Sequence, residues 1–533
     1  MTQPVTAGGV TVIVSGPSLQ AAQSTVLTAA GDDGLPQALA QKDATLWGPE
    51  AAPEAGIRLG WLDAVRVGRE LLPDLDRLRA ELSAEGVTRV VLAGMGGSSL
   101  APEVICATAS KPLVVLDTTD PGQVRAALGK DLDKTVVVVS SKSGGTVETD
   151  SHRRAARAAF EAAGIDPGER IVVVTDPGSP LEQTAKNEGS RQVFLADPDV
   201  GGRYSALTAF GLVPAALAGV DVAALLDEAA ALEPSLADVD GNPALALGAV
   251  LGGAAAGGRD KLVLADAGSG IDGFGDWAEQ LIAESTGKHG KGILPVVVES
   301  VDAPGTTPAS DVQLVVLGGE PAADGTAVSG PLGGQFLAWE YATAVAGRVL
   351  RINPFDQPNV QESKDNTKAI LEGDRTADST PAFTEGAVEV YGDTSASDLA
   401  GALAELLTGV QERGYLAVMA YLDRQVDARA HELRALLAAR LAHPVTFGWA
   451  PRFLHSTGQF HKGGPQVGSF LQITGAVTDD LDVPGRDYTF GELQAAQAMG
   501  DLRALSSRGR PVLRLHLTDR KAGLDALLAA AAG

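Results

Sequence analysis

Apolar residues come in short unbroken runs separated by stretches of helical period. "TRVVLAG", "PLVVLDT", "TVVVVSS", "RIVVVTD" and "RQVFLAD" are runs of the first kind; "APEVICATA", "PGQVRAALG", "DSHRRAARAAFEAAG" and "PLEQTAKNEG" lie between them. Strands that are apolar throughout, instead of at every second residue, are buried on both faces. Their alternation with helices predicts parallel sheets. The rhythm begins near residue 62, and its first element, "DLDRLRAELSAE" at 74–85, reads as an amphipathic helix. After a helical stretch at 221–256 a second unit follows: "DKLVLADAG", a helix around "GDWAEQLIAES", "GILPVVVES", "DVQLVVLGG" and the long helix "GQFLAWEYATAVAGRVL". A third set comprises "AVEVYGD", a helix through 395–413, "YLAVMAYL", "GSFLQITG" and "VLRLHLTD". The fold class expected is α/β, with two doubly wound parallel-sheet domains plus a C-terminal α/β region. The divisions are a covering segment 1–60, a first domain 61–230, a second 231–371 and a C-terminal region 372–533, with a linker near 372–383.

Composition narrows the partners. The formal net charge is -25, a surface that repels nucleic acid and anionic lipid. It would also repel a phosphorylated metabolite, so any phosphate site needs its own amides, hydroxyls or cations. The one cysteine, Cys106, falls in an apolar helical pattern and excludes a disulfide framework or a cysteine-based zinc site. The seven histidines show no metal-ligand spacing, and no apolar stretch is long enough to span a bilayer. The expectation is a reduced, cytoplasmic protein with no metal or other cofactor, no nucleic-acid partner and no membrane partner.

In doubly wound sheets ligands sit beyond the carboxyl ends of the strands. Two such exits are rich in glycine and hydroxyls: "AGMGGSSLAPE", Ala93 to Glu103, and "SSKSGGTVET", Ser140 to Thr149. Each precedes a helix, so loop amides and a helix N-terminus could grip an anion. Ser141, Ser143 and Thr146 would add hydroxyls and Lys142 a charge; the same residues also suit a tight strand–helix turn. Neither loop is a Walker A motif, and Gly94, Gly96 and Gly97 miss the dinucleotide spacing, which favours a small phosphate ester over a nucleotide. In "GGRYSALTAFGL", Arg203 beside Gly202 could meet a ligand or a structural carboxylate. Glu284, near the end of a helix that Gly287 would stop, is placed for a general base or for plain solvation. "NPFDQPNVQESK" leads into a helix carrying Lys364. "PRFLHSTGQFHKGG" holds His455 and His461, candidates for proton transfer or for a structural turn.

In order, "GMGGSSLAPE", "SSKSGGTVET", "GGRYSALTAFGL", "AESTGKHGKGILP" and "NPFDQPNVQESK" resemble the glucose-6-phosphate isomerase family, with its paired sugar-isomerase (SIS) domains, from about Trp61 to Lys364. The resemblance is nearest to the isomerase half of fused transaldolase–isomerase proteins. It implies that Gly97, Ser98, Ser141, Ser143 and Thr146 hold the sugar phosphate. Gly202 and Arg203 would lie at the reacting carbons, Glu284 would be the base, Gln357 a sugar contact and Lys364 a ring-opening partner. The histidine departs from the family: the interval between His289 and Lys364 holds none, and Phe336 stands where longer members carry one. The segment "LHSTGQF" occurs instead at 454–460, so His455 is the expected ring opener, with His289 and His461 as substitutes. In the family this histidine comes from the neighbouring subunit, which implies a homodimer.

The activity implied is reversible isomerisation of glucose 6-phosphate and fructose 6-phosphate, a step of glycolysis and gluconeogenesis, through ring opening and a cis-enediol. Alternatives are a dual enzyme that also takes mannose 6-phosphate, a non-catalytic sugar-phosphate sensor and an inactive partner in a transaldolase complex. A nucleotide-dependent dehydrogenase is weakened by the missing dinucleotide spacing.

Overall fold

The computed structural model describes residues 3–307, 309–373 and 380–533. Residues 374–379 of the expected linker lie outside the described residues. Among the described residues three sheets organise the fold, and the first is five-stranded and wholly parallel. Its spatial order is Val114–Leu116, Arg89–Gly94, Thr135–Ser140, Ile171–Thr175, Gln192–Leu195. Successive residues of its inner strands face opposite sides: Val90 and Leu92 enter one apolar cluster while Val91 enters another, and Val136/Val138 and Val137/Val139 divide likewise. Both faces are thus covered, as the continuous valine runs require. In chain order the strands run 2-1-3-4-5, so the winding reverses between Arg89–Gly94 and Thr135–Ser140. Connections from these two strands depart to opposite faces and leave a crevice at their carboxyl ends. The two Gly- and Ser-rich loops are the exits of this strand pair.

The second sheet orders Leu294–Val298, Lys261–Asp266, Val312–Leu317 and Gly325–Ser329 in parallel, then adds Val10–Val14 and Val5–Ala7 antiparallel. Part of the 1–60 segment therefore extends a sheet. The third sheet repeats this plan: Val445–Trp449, Tyr415–Tyr421, Gly468–Gly475 and Val512–Leu517 are parallel, with Val388–Tyr391 and Phe383–Glu385 antiparallel at the far edge. Gly325–Ser329 and Val445–Trp449 escape sequence reading. The first, "GTAVS", has too few large apolar residues to read as a strand, yet it pairs on both sides. In the second, Gly448 interrupts the apolar run where Phe453 packs closely.

One face of the second sheet is covered by the helices Pro243–Ala256 and Leu332–Leu350. The other carries Val263, Val296, Leu314 and Val316, which join Tyr415, Ala417, Met419 and Phe470 of the third sheet in a single apolar cluster. The C-terminal region is therefore clamped face to face on the second domain. That packing brings "LHSTGQF" to the first domain's loops.

Candidate active site

The two strand-exit loops are built by close backbone approach. Gly96 has φ 56°, and a Cβ there would lie 3.1 Å from the carbonyl oxygen of His455. A Cβ on Gly97 would fall 1.8 Å from the carbonyl oxygen of Gly202, so only glycine lets the first loop touch the "GGR" turn. Ser98 ends this turn and is buried. In the second loop the Ser141 hydroxyl accepts from the Gly144 N–H (3.2 Å) and lies 3.4 Å from the Thr146 hydroxyl. Thr146 takes the N-cap position of the helix Val147–Ala162 but makes no side-chain cap bond. First-turn amides without intrahelical partners and a hydroxyl not spent on capping suit an anion there. Ser143 is exposed and accepts from the Gly145 N–H at 3.2 Å. Lys142 does not add its charge to the loop: its ammonium pairs with Asp176 (2.5 Å) and donates to the Pro198 carbonyl (3.0 Å). Asp176 stands just past the next strand, and its partly buried carboxylate draws the lysine away.

Glu284 lies in the last turn of the helix Phe274–Thr286, which Gly287 ends as the sequence suggests. Its Oε1 is 3.5 Å from the Nη1 of Arg203, and both side chains are buried. The rest of the guanidinium is committed to the protein. Nε donates to the Ser285 hydroxyl (2.7 Å), and Nη2 donates to the carbonyls of Pro354 (2.7 Å) and Asp356 (3.0 Å). Nη1 alone faces Glu284 and Gln357, whose Oε1 it meets at 3.4 Å. Arg203 is thus fixed in direction with one edge turned to Glu284 and Gln357. Gln280 donates through one Nε2 to Glu284 Oε2 (3.1 Å) and to the His455 carbonyl (2.8 Å), tying base and histidine segments together.

His455 sits in the short turn Arg452–His455 of the C-terminal region, and its Nε2 is 3.0 Å from Glu148 Oε1. The same oxygen accepts from Gln497 Nε2 at 2.7 Å, and Gln497 Oε1 accepts from the Thr119 hydroxyl at 2.8 Å. Burial by itself would raise the Glu148 carboxyl. The facing imidazole, through its charge and hydrogen bond, overcomes this with help from Lys364 and holds the carboxyl at about 2. Glu148 is therefore an anion that orients the ring. Lys364, exposed on the helix Gln361–Leu371, is close enough to act on that charge. The neighbouring Arg452 anchors the turn, with its Nε 2.6 Å from Asp117 at the end of the first sheet.

The other two histidines are elsewhere engaged. His289 is exposed in a tight turn at φ 55°. His461 is buried, stacked on Tyr415 with Nδ1 3.0 Å from its hydroxyl, and burial pushes its pKa well down. Phe336 packs edge-on against Trp277, ring centroids 4.6 Å apart, in the core behind the Glu284 helix. Of the residues singled out in the sequence, Gly97 meets Gly202, Arg203 meets Glu284 and Gln357, and Gln280 links Glu284 to the His455 carbonyl, with Ser98, Ser141 and Thr146 on the strand-exit loops and Lys364 near Glu148. Ser143 faces solvent. Sequence reading missed Glu148, Gln280, Gln497 and Lys288; for Glu148 the signal was a carboxylate in the first helical turn after a candidate anion loop.

Residues 80–288 match the family model described as phosphoglucose isomerase. Among curated relatives, a glucose-6-phosphate isomerase of Rippkaea orientalis is 38% identical over 219 residues, 39% of this chain and 41% of the relative. A probable glucose-6-phosphate isomerase of Haloarcula marismortui is 39% identical over 214 residues, 39% of this chain and 48% of the relative. The chain spans about half the length of the curated relatives it matches. In fold it is similar to a hypothetical protein of Thermus thermophilus, with TM-score 0.57, 24% identity and coverage of 68% of this chain and 100% of that one. A structure of a glucose-6-phosphate isomerase from Chlamydia trachomatis gives TM-score 0.54 at 20% identity, covering 69% and 89%. The matched segment contains both loops, Arg203 and Glu284. Gln357, Lys364 and His455 lie beyond it in sequence, and the fold returns them to it.

Proposed function

We propose that the chain interconverts glucose 6-phosphate and fructose 6-phosphate. The observation that supports this best is the buried Glu284–Arg203 pair, 3.5 Å apart, beside hydroxyl-lined loops at the reversal of a doubly wound sheet. The ester's phosphate binds to the amides and hydroxyls of residues 97–98 and 141–146. That grip aligns the sugar chain along the crevice. His455, oriented by Glu148, moves the proton between O1 and O5 as the ring opens, and Lys364 balances charge at the same end. Glu284 then takes the proton from C2 and returns it to C1, while the hydroxyl proton of O2 passes to O1 and the electron pair moves through an enediolate. The free edge of Arg203 stabilises the negative oxygen and, as a permanent cation, does not compete for the proton. The product differs from the substrate only in where one proton pair and the carbonyl reside, so no redox partner enters.

Catalysis on this reading needs only one chain, because His455 reaches Glu148 within it; the homodimer of the resemblance is kept as an assembly, without exchange of the histidine. We infer a reduced, cytoplasmic setting from the single, buried cysteine. The test is direct. Purified chain given fructose 6-phosphate is expected to form glucose 6-phosphate in a coupled assay. Binding of the ester without turnover would reject catalysis in favour of a sensor.

A further inference from the structure

Four residues beyond Glu284 the chain turns inward at Lys288, whose side chain is fully buried. Its ammonium donates to the Asn353 carbonyl (2.7 Å), the Asp356 carbonyl (2.6 Å) and Asp356 Oδ1 (2.6 Å). Three donors meet three acceptors, so the group is saturated. Arg203 grips the same turn through the carbonyls of Pro354 and Asp356. The Asp356 carbonyl is shared by the two buried cations. The segment 353–357 belongs to no helix or strand, so these bonds supply the order that a ladder would otherwise give. From this turn Gln357 reaches Arg203 Nη1.

We propose that Lys288 is a positioning residue: with Arg203 it clamps the 353–357 turn, and the clamp sets Gln357 and the free guanidinium edge against Glu284. This rests on the isomerase reading for its kinetic consequences, but the clamp itself is a property of the fold. Charged groups facing the ammonium are Arg203, Asp356 and Glu284. Burial, then repulsion from Arg203, bring the ammonium down to about 8 against the opposing pull of Asp356 and Glu284. Below that pH the clamp is closed. Above it the ammonium loses its proton, Asp356 loses its counter-ion and the turn loosens.

The test uses Lys288→Met and Lys288→Arg in the full chain. Lys288→Met is expected to lower kcat for fructose 6-phosphate by about 10²-fold through misalignment. Wild type is expected to show an alkaline limb of kcat near pH 8; Lys288→Arg, charged at every accessible pH, is expected to keep most activity and to move that limb upward. An unmoved limb in Lys288→Arg, or wild-type kcat and KM in Lys288→Met, would overturn the proposal. If Lys288→Met does not fold, the Lys288→Arg profile decides alone. Hydrogen exchange of residues 353–357, corrected for its intrinsic pH dependence, reads the clamp without turnover: protection is expected to drop above pH 8 in wild type but not in Lys288→Arg. Equal behaviour would overturn the clamp. A wild type with no turnover would instead reject the isomerase reading.

Discussion

His455 and Glu148 stand 307 positions apart in the chain and 3.0 Å apart in space. One belongs to the C-terminal region, the other to the first turn of the helix that follows a strand-exit loop of the first domain. The face-to-face packing of the second and third sheets makes this meeting possible. It gives the proposed site its proton-transfer group from the chain's own C-terminal region.

The contact between them has a pH signature. Glu148 is depressed from an ordinary 4.5 to about 2, so it contributes stability that is fully present above 4.5 and is lost as pH falls toward 2. Wild type is expected to lose Tm steeply across that window. Glu148→Gln should have a lower Tm at neutral pH and a shallower acid slope, measured by thermal melts at stepped pH. Parallel slopes would separate Glu148 from acid stability.

Gly97 is a steric prediction. A methyl 1.8 Å from the Gly202 carbonyl forces the two loops apart. Gly97→Ala is expected to cost about 1–3 kcal/mol in denaturant titrations and to weaken sugar-phosphate affinity in the same variant. Gly145, where an added Cβ meets only the Ser143 hydroxyl at 3.4 Å, serves as the control, and Gly145→Ala should be milder in both.

Delivery of the histidine within one chain predicts failure of complementation. Glu284→Gln and His455→Ala, co-expressed, are expected to give no more activity than either alone. Restored turnover would mean that the histidine crosses between chains.

How much of this was legible in the sequence depended on how local each cause was. Valine runs and helical periods declared the sheets, because burial on both faces constrains every residue of a strand. The loop glycines and hydroxyls were visible because their spacing is set within ten residues. Glu284 was placed at a helix end by Gly287. Glu148 was legible only as a carboxylate in a first helical turn; its burial is tolerated because His455 and Gln497 converge on it from distant segments. Lys288 was hidden for the same reason, since its three acceptors lie some 65 residues onward. Lys142 misled, because its partner Asp176 belongs to the following strand's exit. Gly325–Ser329 is a strand by its pairing on both edges more than by its own composition.

The central claim is that the carboxylate of Glu284 moves the proton between adjacent sugar carbons while the ester is held elsewhere. Its most direct test is the rate of fructose 6-phosphate conversion by Glu284→Gln, alongside the Tm shift that the same ester induces. Loss of about 10²–10⁴-fold in kcat with the Tm shift retained is the result predicted. Turnover at the wild-type rate would contradict it.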